Sequence, residues 1–404
     1  MDLLRIVAIM LVIVTMTRFK KPLWMAIGAA ALTTGIVFFM PPMEFLQNVW
    51  TGATSITTLT LAFVIYALTF LQNLMEEHKM LKQAELSMTS LLNNRRLTTA
   101  ITPVLIGLMP APGAVLMAAS VVEGTCEDHL SKEDMAFVTS FYRHVPESSL
   151  PTYSSVILAT AISGVPMGSF LMAMLPFLAI IMVVPYFLFL RKVPKETGMP
   201  KSESKVKDLG NVIVSLSPII LIIVLILGLG FQTWQATLAA IVVLAIWKFK
   251  DYNIIQNFVP LATKSFNRTM ILSTFFSMIF KQVLTSTGVV ARLPAMFEGL
   301  PIPTFMVFSI IFFAGTFVGG LQTMIPLILP VALATVPGSP AALLMLLMAT
   351  GHLAAQVNPT HLCLTLSCEY FGVGLGDLIK KTVPTITISY VLTTLYYVLI
   401  AAVL

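Results

Sequence analysis

The chain has 404 residues, of which 57% are hydrophobic and only 10% are charged, and its mean hydropathy is +0.92. Soluble domains carry roughly 25% charged residues, so this composition excludes a soluble enzyme and a nucleic-acid-binding protein. The 24 Lys and Arg residues exceed the 18 Asp and Glu residues, as is typical of basic loops retained on the cytoplasmic side of a membrane. We therefore expect an all-α polytopic membrane protein that contacts the lipid bilayer and binds no nucleic acid.

The first half of the chain, residues 1–190, contains apolar runs near the ~20 residues that cross a bilayer as a helix. In chain order they predict scaffold spans within 1–75, an arm at 76–96, an interrupted segment at 97–122, a broken helix at 134–164 and a span at 167–190. A polar, basic linker at 191–208 separates this half from the next.

The second half, residues 209–404, predicts the same order of elements. These are scaffold spans within 211–285, an arm at 286–303, an interrupted segment at 304–337, a broken helix at 340–371 and a span at 383–404. A shift of 208 positions aligns several residues of the two halves without a gap: Gly107 with Gly315, His144 with His352, Pro151 with Pro359, Thr152 with Thr360, Gly164 with Gly372 and Pro176 with Pro384. Because most of these residues break helices, their recurrence favours an internal duplication.

Both interrupted segments place helix-breaking residues in the middle of an apolar run. Proline removes a backbone donor and clashes with the preceding turn, and open backbone inside a membrane must be buried in protein or line a cavity. We therefore predict two re-entrant hairpins whose tips bind the solute, with kinked spanning helices as the alternative. The tip residues are Pro110, Ala111, Pro112 and Gly113 in the first hairpin and Gly319, Gly320, Gln322 and Thr323 in the second.

The basic residues predict how the chain crosses the membrane. With re-entrant hairpins each half crosses five times, and an odd number of crossings inverts the second half relative to the first. If the N-terminus is outside, 20 of the 24 basic residues face the cytoplasm, as the positive-inside rule requires. The exceptions are Arg5, Arg143, Lys281 and Arg292. We expect a multi-pass protein of the cell inner membrane or plasma membrane with both chain ends extracytoplasmic.

The two broken helices carry polar residues around a proline at membrane depth. Such groups are costly in lipid and usually face a cavity, where half-helix ends and freed carbonyls bind ions and anions. Other interpretations stay open: the histidines could join helices, Glu147 could pair with Arg143, and Asn358 could cap a helix. The predicted solute ligands here are Ser148, Ser149, Asn358, Thr360 and His361, and the predicted ion-coupling residues are His144, Glu147, Thr152, His352, Gln356 and Asn358.

Two inverted repeats that each combine a re-entrant hairpin with a proline-interrupted helix resemble the ion transporter superfamily of secondary carriers. Within it, the chain is most similar to an uncharacterised prokaryotic family of integral membrane proteins. The resemblance implies an elevator-type carrier, in which hairpins and broken helices form a mobile transport domain and the scaffold spans form a homodimer. The dicarboxylate carriers of the superfamily have Ser-Asn-Thr at their hairpin tips, whereas this chain has Met-Pro-Ala-Pro-Gly at 109–113 and Gly-Gly-Leu-Gln-Thr at 319–323.

These patterns predict a secondary active transporter for a small, anionic organic solute. A sodium or proton gradient is the expected energy source, because the chain has no GxxxxGK[ST] nucleotide-binding motif. We expect no cofactor and no metal beyond a coupling or transported Na⁺. The alternatives are a cation/proton antiporter that uses Glu147, a lipid or peptide translocator, and an intramembrane hydrolase with His352, His361 and Glu369 as metal ligands and Glu147 as the base. The hydrolase is least favoured, because the chain has no HExxH motif.

Overall fold

The structure, a computed structural model, describes residues 2–19, 21–108, 114–196, 204–248, 254–292, 301–359 and 361–403. In these ranges the regular structure is helical, with no β-strand, which confirms the all-helical prediction. Four of the described helices are long and apolar enough to cross a membrane, namely Ile56–Glu77, Met167–Leu188, Lys205–Leu229 and Leu375–Ala401. Together with the composition, they indicate a membrane-embedded protein.

The helices of the first half follow the predicted order. They are α1 (Asp2–Arg18), α2 (Leu23–Val37), α3 (Pro42–Thr54), α4 (Ile56–Glu77), α5 (Met80–Leu92), α6 (Arg95–Ile106), α7 (Ala114–Cys126), α8 (Lys132–His144), α9 (Ser154–Ser163) and α10 (Met167–Leu188). A short 3-10 helix, Val145–Ser148, continues α8. The predicted tip of the first hairpin, including Pro110, Ala111, Pro112 and Gly113, lies outside the described residues.

The second half is also made of helices. They are α11 (Lys205–Leu229), α12 (Thr233–Trp247), α13 (Ile254–Lys264), α14 (Arg268–Ser286), α15 (Val289–Arg292), α16 (Thr304–Gly319), α17 (Leu321–Thr335), α18 (Pro340–Ala355), α19 (Leu362–Phe371) and α20 (Leu375–Val403). Gly320 alone separates α16 from α17, with φ 83° and ψ 155°, a conformation that is essentially restricted to glycine. A side chain at this turn would therefore strain the backbone.

Two helices, α3 and α13, were not predicted as separate elements. Residues 1–75 were predicted to contain only spans, but α2 ends at Val37 and the Pro41-Pro42 pair begins the short helix α3. Proline fits the first turn of a helix, where its missing N–H has no partner to lose. Helix α3 also exposes apolar side chains such as Trp50 beside polar ones. In the sequence these apolar residues could not be distinguished from the hydrophobic runs on either side.

The scaffold helices of the two halves pack against each other. Helix α14 packs against α2, α3 and α4, and α4 packs against α12, α13 and α14. Gln282 of α14 donates to Asn48 of α3 over 3.1 Å, and Asn73 of α4 donates to Ser265, just after α13, over 2.9 Å. Neither half therefore completes its scaffold alone.

The hairpins and broken helices form a second group of contacts. Helix α6 packs against α7 and α8, as α16 packs against α17 and α18; α9 packs against α17, as α19 packs against α7. The Thr99 hydroxyl oxygen near the start of α6 and the Thr125 hydroxyl oxygen near the end of α7 lie 3.0 Å apart, so the start of α6 lies beside the end of α7. Each of these helix contacts in the first half thus has a similar contact in the second.

The three helices that follow each hairpin begin in a single register. Their first residues are 208 positions apart: Lys132 and Pro340 for α8 and α18, Ser154 and Leu362 for α9 and α19, and Met167 and Leu375 for α10 and α20. Ser131 and Ser339 cap α8 and α18 by accepting a backbone N–H. Gly164 and Gly372 end α9 and α19 at φ 73° and 67°, where glycine avoids the strain of a side chain.

Helix α11 gives a direct test of membrane topology. Ser204 and Gln232 are exposed residues just beyond its two ends, and its 25 residues span about 37 Å, enough to cross the hydrocarbon core. In intact cells treated with a membrane-impermeant maleimide, we expect Gln232→Cys to be labelled and Ser204→Cys to be protected. The three native cysteines are buried and give a low background. Labelling at position 204 but not at 232 would overturn the predicted orientation.

Candidate functional site

A cavity of about 690 Å³ lies where the two helix breaks, the turn at Gly320 and scaffold helix α4 meet. We define the first break as residues 145–153, between α8 and α9, and the second break as residues 356–361, between α18 and α19. Thr69, Gln72 and Asn73 of α4 line the scaffold side of the cavity. The cavity therefore lies between the scaffold and the group formed by the hairpins and broken helices.

The first break arises because Pro146 cannot continue the helical hydrogen bonding of α8. The chain tightens into the 3-10 turn, in which Ser148 Oγ donates to the Val145 carbonyl over 2.8 Å. Tyr153 then caps α9, and its hydroxyl donates to the Gly107 carbonyl at the end of α6. The break is therefore held against the first hairpin, with Thr152 and Tyr153 in the cavity wall.

The second break is held against the second hairpin. Asn358, which is 4% exposed, donates through Nδ2 to the Thr316 carbonyl over 3.0 Å. Thr316 lies in the last turn of α16, just before the turn at Gly320. Asn358 therefore joins this break directly to the hairpin turn, and both line the cavity.

Three helix N-termini converge on the cavity. They are those of α9 at Ser154 and Ser155, α17 at Gln322 and Thr323, and α19 at Cys363, and all of these residues line it. The first N–H groups of a helix have no partner within the helix and carry partial positive charge. Gln322 Nε2 donates to Ser154 Oγ over 2.6 Å, which holds two of these N-termini side by side. The arrangement favours an anion.

An ion pair lies at the wall of the cavity beside the first break. Arg143 Nη1 is 2.9 Å from Glu147 Oε1, and the side chains are 2% and 27% exposed, respectively. The alternative that Glu147 pairs with Arg143 is therefore realised, although both residues also line the cavity. Because each charge offsets the other, the positive potential offered to a solute comes mainly from the helix N-termini.

The paired histidines have different surroundings. His144 is buried and does not line the cavity. Its ring packs edge-on against the ring of His361, with 4.6 Å between the ring centroids. His352 packs edge-on against Phe177 and its Nε2 lies 3.4 Å from Nε2 of Gln356. The suggestion that these histidines join helices thus has support, while His352 and His361 also reach the cavity.

The structure gathers most of the described candidate residues around one cavity. Those that line it are Glu147, Thr152, Gly319, Gly320, Gln322, Thr323, His352, Asn358 and His361. His144, Ser148, Ser149 and Gln356 are buried behind this wall and do not line it. The Ser148 hydroxyl is turned inward because it serves the 3-10 turn. Thr360 and residues 110–113 lie outside the described residues.

Sequence reasoning missed several cavity residues. Ser154, Ser155 and Cys363 follow the breaks as the first residues of α9 and α19, a position that the proline-containing break could have indicated. Gln72 and Asn73 form a polar pair inside an otherwise apolar span. This polar pair could have indicated which residues of α4 line the scaffold side of the cavity.

Comparison with known proteins gives a family and no further assignment. No curated protein matches the chain. A family model described as "Protein of unknown function (DUF401)" matches residues 2–400. Because this match covers nearly the whole chain, the protein belongs to the DUF401 family.

Proposed function

We propose that the protein is a secondary active transporter that moves a small, anionic organic solute across the cytoplasmic membrane. The observation that carries this proposal is the convergence of three helix N-termini on one cavity lined by both halves of the chain. Helix N-termini bind anions through unpaired N–H groups and the helix dipole. In membrane carriers, discontinuous helices place such ends at the substrate site.

The proposal includes an inverted internal repeat and an elevator mechanism. Its support is the exchange of packing partners between the halves and the shared register of α8–α10 and α18–α20. The scaffold would comprise α1–α4 and α11–α14 and would form a homodimer, as in the ion transporter superfamily that the layout resembles. The hairpins and broken helices would move against it and carry the cavity across the membrane.

The shape of the cavity fits a carrier in its inward-facing state. Lys21 and Glu76 line one end of it, and Glu76 lies 3.6 Å from Lys264. The predicted topology places these charged residues on the cytoplasmic side. On this interpretation the solute site opens to the cytoplasm, and the other end is closed by α14 against α9.

One contact between the scaffold and the moving group would have to change during transport. Lys281 of α14 donates through Nζ to the Ile162 carbonyl near the C-terminus of α9 over 2.9 Å. A cation there complements the negative end of the helix dipole. The contact stabilises the inward-facing state and must break when α9 moves.

Reconstitution into liposomes tests the proposal. Purified protein is assayed with labelled mono-, di- and tricarboxylates under an inward Na⁺ gradient, an inward proton gradient, or neither. We expect at least one anion to accumulate under one gradient and to be released when an ionophore collapses it. Failure of every anion to accumulate under both gradients, in liposomes that contain folded protein, would refute anion transport.

Glu147 is the acidic residue of the two breaks that reaches the cavity, and it is our candidate for ion coupling. We expect Glu147→Gln to change the dependence of uptake on pH or Na⁺, while the half-saturating solute concentration changes by less than about threefold, or about 0.7 kcal/mol. Removing the carboxylate leaves a buried guanidinium, which is destabilising, so the double variant Arg143→Met/Glu147→Gln serves as a control for folding.

The same variant separates the transporter from the antiporter alternative. An antiporter would exchange Na⁺ for protons without any organic anion, and Glu147→Gln would abolish that exchange. Unchanged pH and Na⁺ dependence in Glu147→Gln, measured in protein with a normal melting temperature, would assign Glu147 only to the ion pair with Arg143.

A further inference from the structure

Three metal-ligating side chains meet at the cavity wall, and the proposed transport cycle does not use them together. The ligand atoms of His144, His361 and Cys363 all lie within 4.8 Å of one another. His144 ends α8 in the first half of the chain, whereas His361 and Cys363 begin α19 in the second. The cluster therefore forms only when the two helix breaks come together.

His144 is held in the orientation and tautomer that a metal ligand needs. Its Nδ1 lies 2.6 Å from the Ser140 carbonyl oxygen, which can only accept, so Nδ1 carries the proton and Nε2 carries the lone pair. The residue is 1% exposed, and Nε2 has no hydrogen-bond partner within the described structure. Metal-binding histidines commonly donate their second N–H to a carbonyl in this way.

The other two side chains complete a mixed nitrogen and sulfur set. His361 also leaves a buried ring nitrogen, Nδ1, without a partner among the described residues, and Cys363 is a buried free cysteine, 6% exposed. Unpaired buried polar atoms are costly, and both histidines that carry one also place a ring nitrogen within 4.8 Å of the Cys363 sulfur, which indicates a missing ligand. Glu147 Oε1, 4.0 Å from His144 Nε2, offers an oxygen beside them.

We propose that this cluster binds a zinc-class transition-metal ion through His144 Nε2, a ring nitrogen of His361 and Cys363 Sγ. The fourth position would be taken by the Glu147 carboxylate or by an oxygen ligand from the cavity. Imidazole and thiolate select such ions, whereas Na⁺ and Mg²⁺ prefer oxygen ligands, so a coupling Na⁺ would share at most the Glu147 carboxylate with this site. Donor atoms in a tetrahedral zinc site lie about 3.3–3.8 Å apart, and the two breaks would close by about 1 Å on binding.

The charges at the cluster are compatible with a dication. Metal binding deprotonates the Cys363 thiol, and this thiolate and the Glu147 carboxylate together offset most of the charge of the dication and of Arg143, whose Nη1 lies 2.9 Å from Glu147. The ion would then join α8 to α19 and fix the relative position of the two breaks. The ion would link the two halves of the chain. Its binding does not depend on the transport proposal.

Cobalt substitution of the full-length protein in detergent tests this inference. Co²⁺ bound by a thiolate and imidazoles gives an intense near-ultraviolet charge-transfer band and visible bands of a tetrahedral ion, and Zn²⁺ should remove both. We expect one Co²⁺ per chain, and a rise in melting temperature with Zn²⁺ that excess Na⁺ does not compete away.

Matched cysteine variants locate the site. Cys363→Ser should lose the charge-transfer band and lower Zn²⁺ affinity by at least about 100-fold, the upper end of the loss seen for supporting residues. Cys368→Ser, which changes a second buried cysteine of α19 outside the cluster, should retain both, as should Cys126→Ser. His361→Ala should weaken binding while leaving the melting temperature without metal close to that of the wild type.

Two results would overturn the inference. The first is the absence of a charge-transfer band at saturating Co²⁺ in folded wild-type protein. The second is a band and a Zn²⁺ affinity that are the same in Cys363→Ser as in Cys368→Ser. Because neither readout involves solute uptake, these outcomes are independent of whether the protein transports an anion.

Discussion

Uptake by the Asn358→Ala variant is expected to fall about 10- to 100-fold, because removing a buried hydrogen-bonded group costs about 1–3 kcal/mol. Asn358 donates to the Thr316 carbonyl and lines the cavity, so its loss separates the second break from the turn at Gly320. The loss should concern transport more than folding, since Thr316 keeps a second partner in the Gly320 N–H at 2.9 Å. Initial uptake rates in liposomes, normalised to folded protein, measure the effect.

Asn48→Ala is the matched control for this variant. Asn48 also makes an amide contact with a residue far along the chain, Gln282, but it lies in the scaffold away from the cavity. It should keep most of its uptake. Normal coupled uptake by Asn358→Ala, at normal expression, would show that the second break is a structural kink and that the solute site lies elsewhere.

Replacing Gly107 with alanine is expected to destabilise the protein so strongly that little folded protein is recovered from the membrane. A Cβ at this position would overlap the Arg143 carbonyl oxygen and would lie 3.1 Å from Cδ of Pro146. Overpacking typically costs about 1–3 kcal/mol, and a clash with backbone is harder to relieve because no rotamer change removes it. Size-exclusion chromatography and the melting temperature of solubilised protein measure the loss.

Two glycines provide graded controls for this prediction. Gly315, which corresponds to Gly107 in the other half, would place its Cβ against the flexible side chain of Met324, so Gly315→Ala should be milder. The space around Gly124 of α7 is open, and Gly124→Ala should be neutral or slightly stabilising because alanine favours helix. A Gly107→Ala variant as stable as Gly124→Ala would contradict the tight packing of α6 against α8.

The helical architecture and the two breaks could be predicted because their causes are local. Proline disfavours a continuous helix because it removes a hydrogen bond to the preceding turn, and Pro146 lies in the first break, as Pro359 lies in the second. The serine caps and the glycines after α9 and α19 are local signals of the same kind. Helices α3 and α13 escaped prediction because their mixed polar and apolar faces have neither the length nor the uniform hydropathy of a span.

Positions of side chains within the breaks depended on contacts that the sequence does not display. Ser148 and Ser149 were predicted as solute ligands and Ser154 and Ser155 were not, yet the first pair is buried away from the cavity and the second pair begins α9 and lines it. The cluster of His144, His361 and Cys363 joins residues more than 200 positions apart. Only the packing of α8 against α19 brings them together.

The packing of scaffold helices from the two halves against each other has a consequence for how the protein is made. Helix α14 fills the space beside α2 and α3, and α5 packs against α11, so the surfaces that the first half leaves in the membrane are covered by helices synthesised after the linker. The packing of the first half is therefore completed only after the second half has been synthesised and inserted.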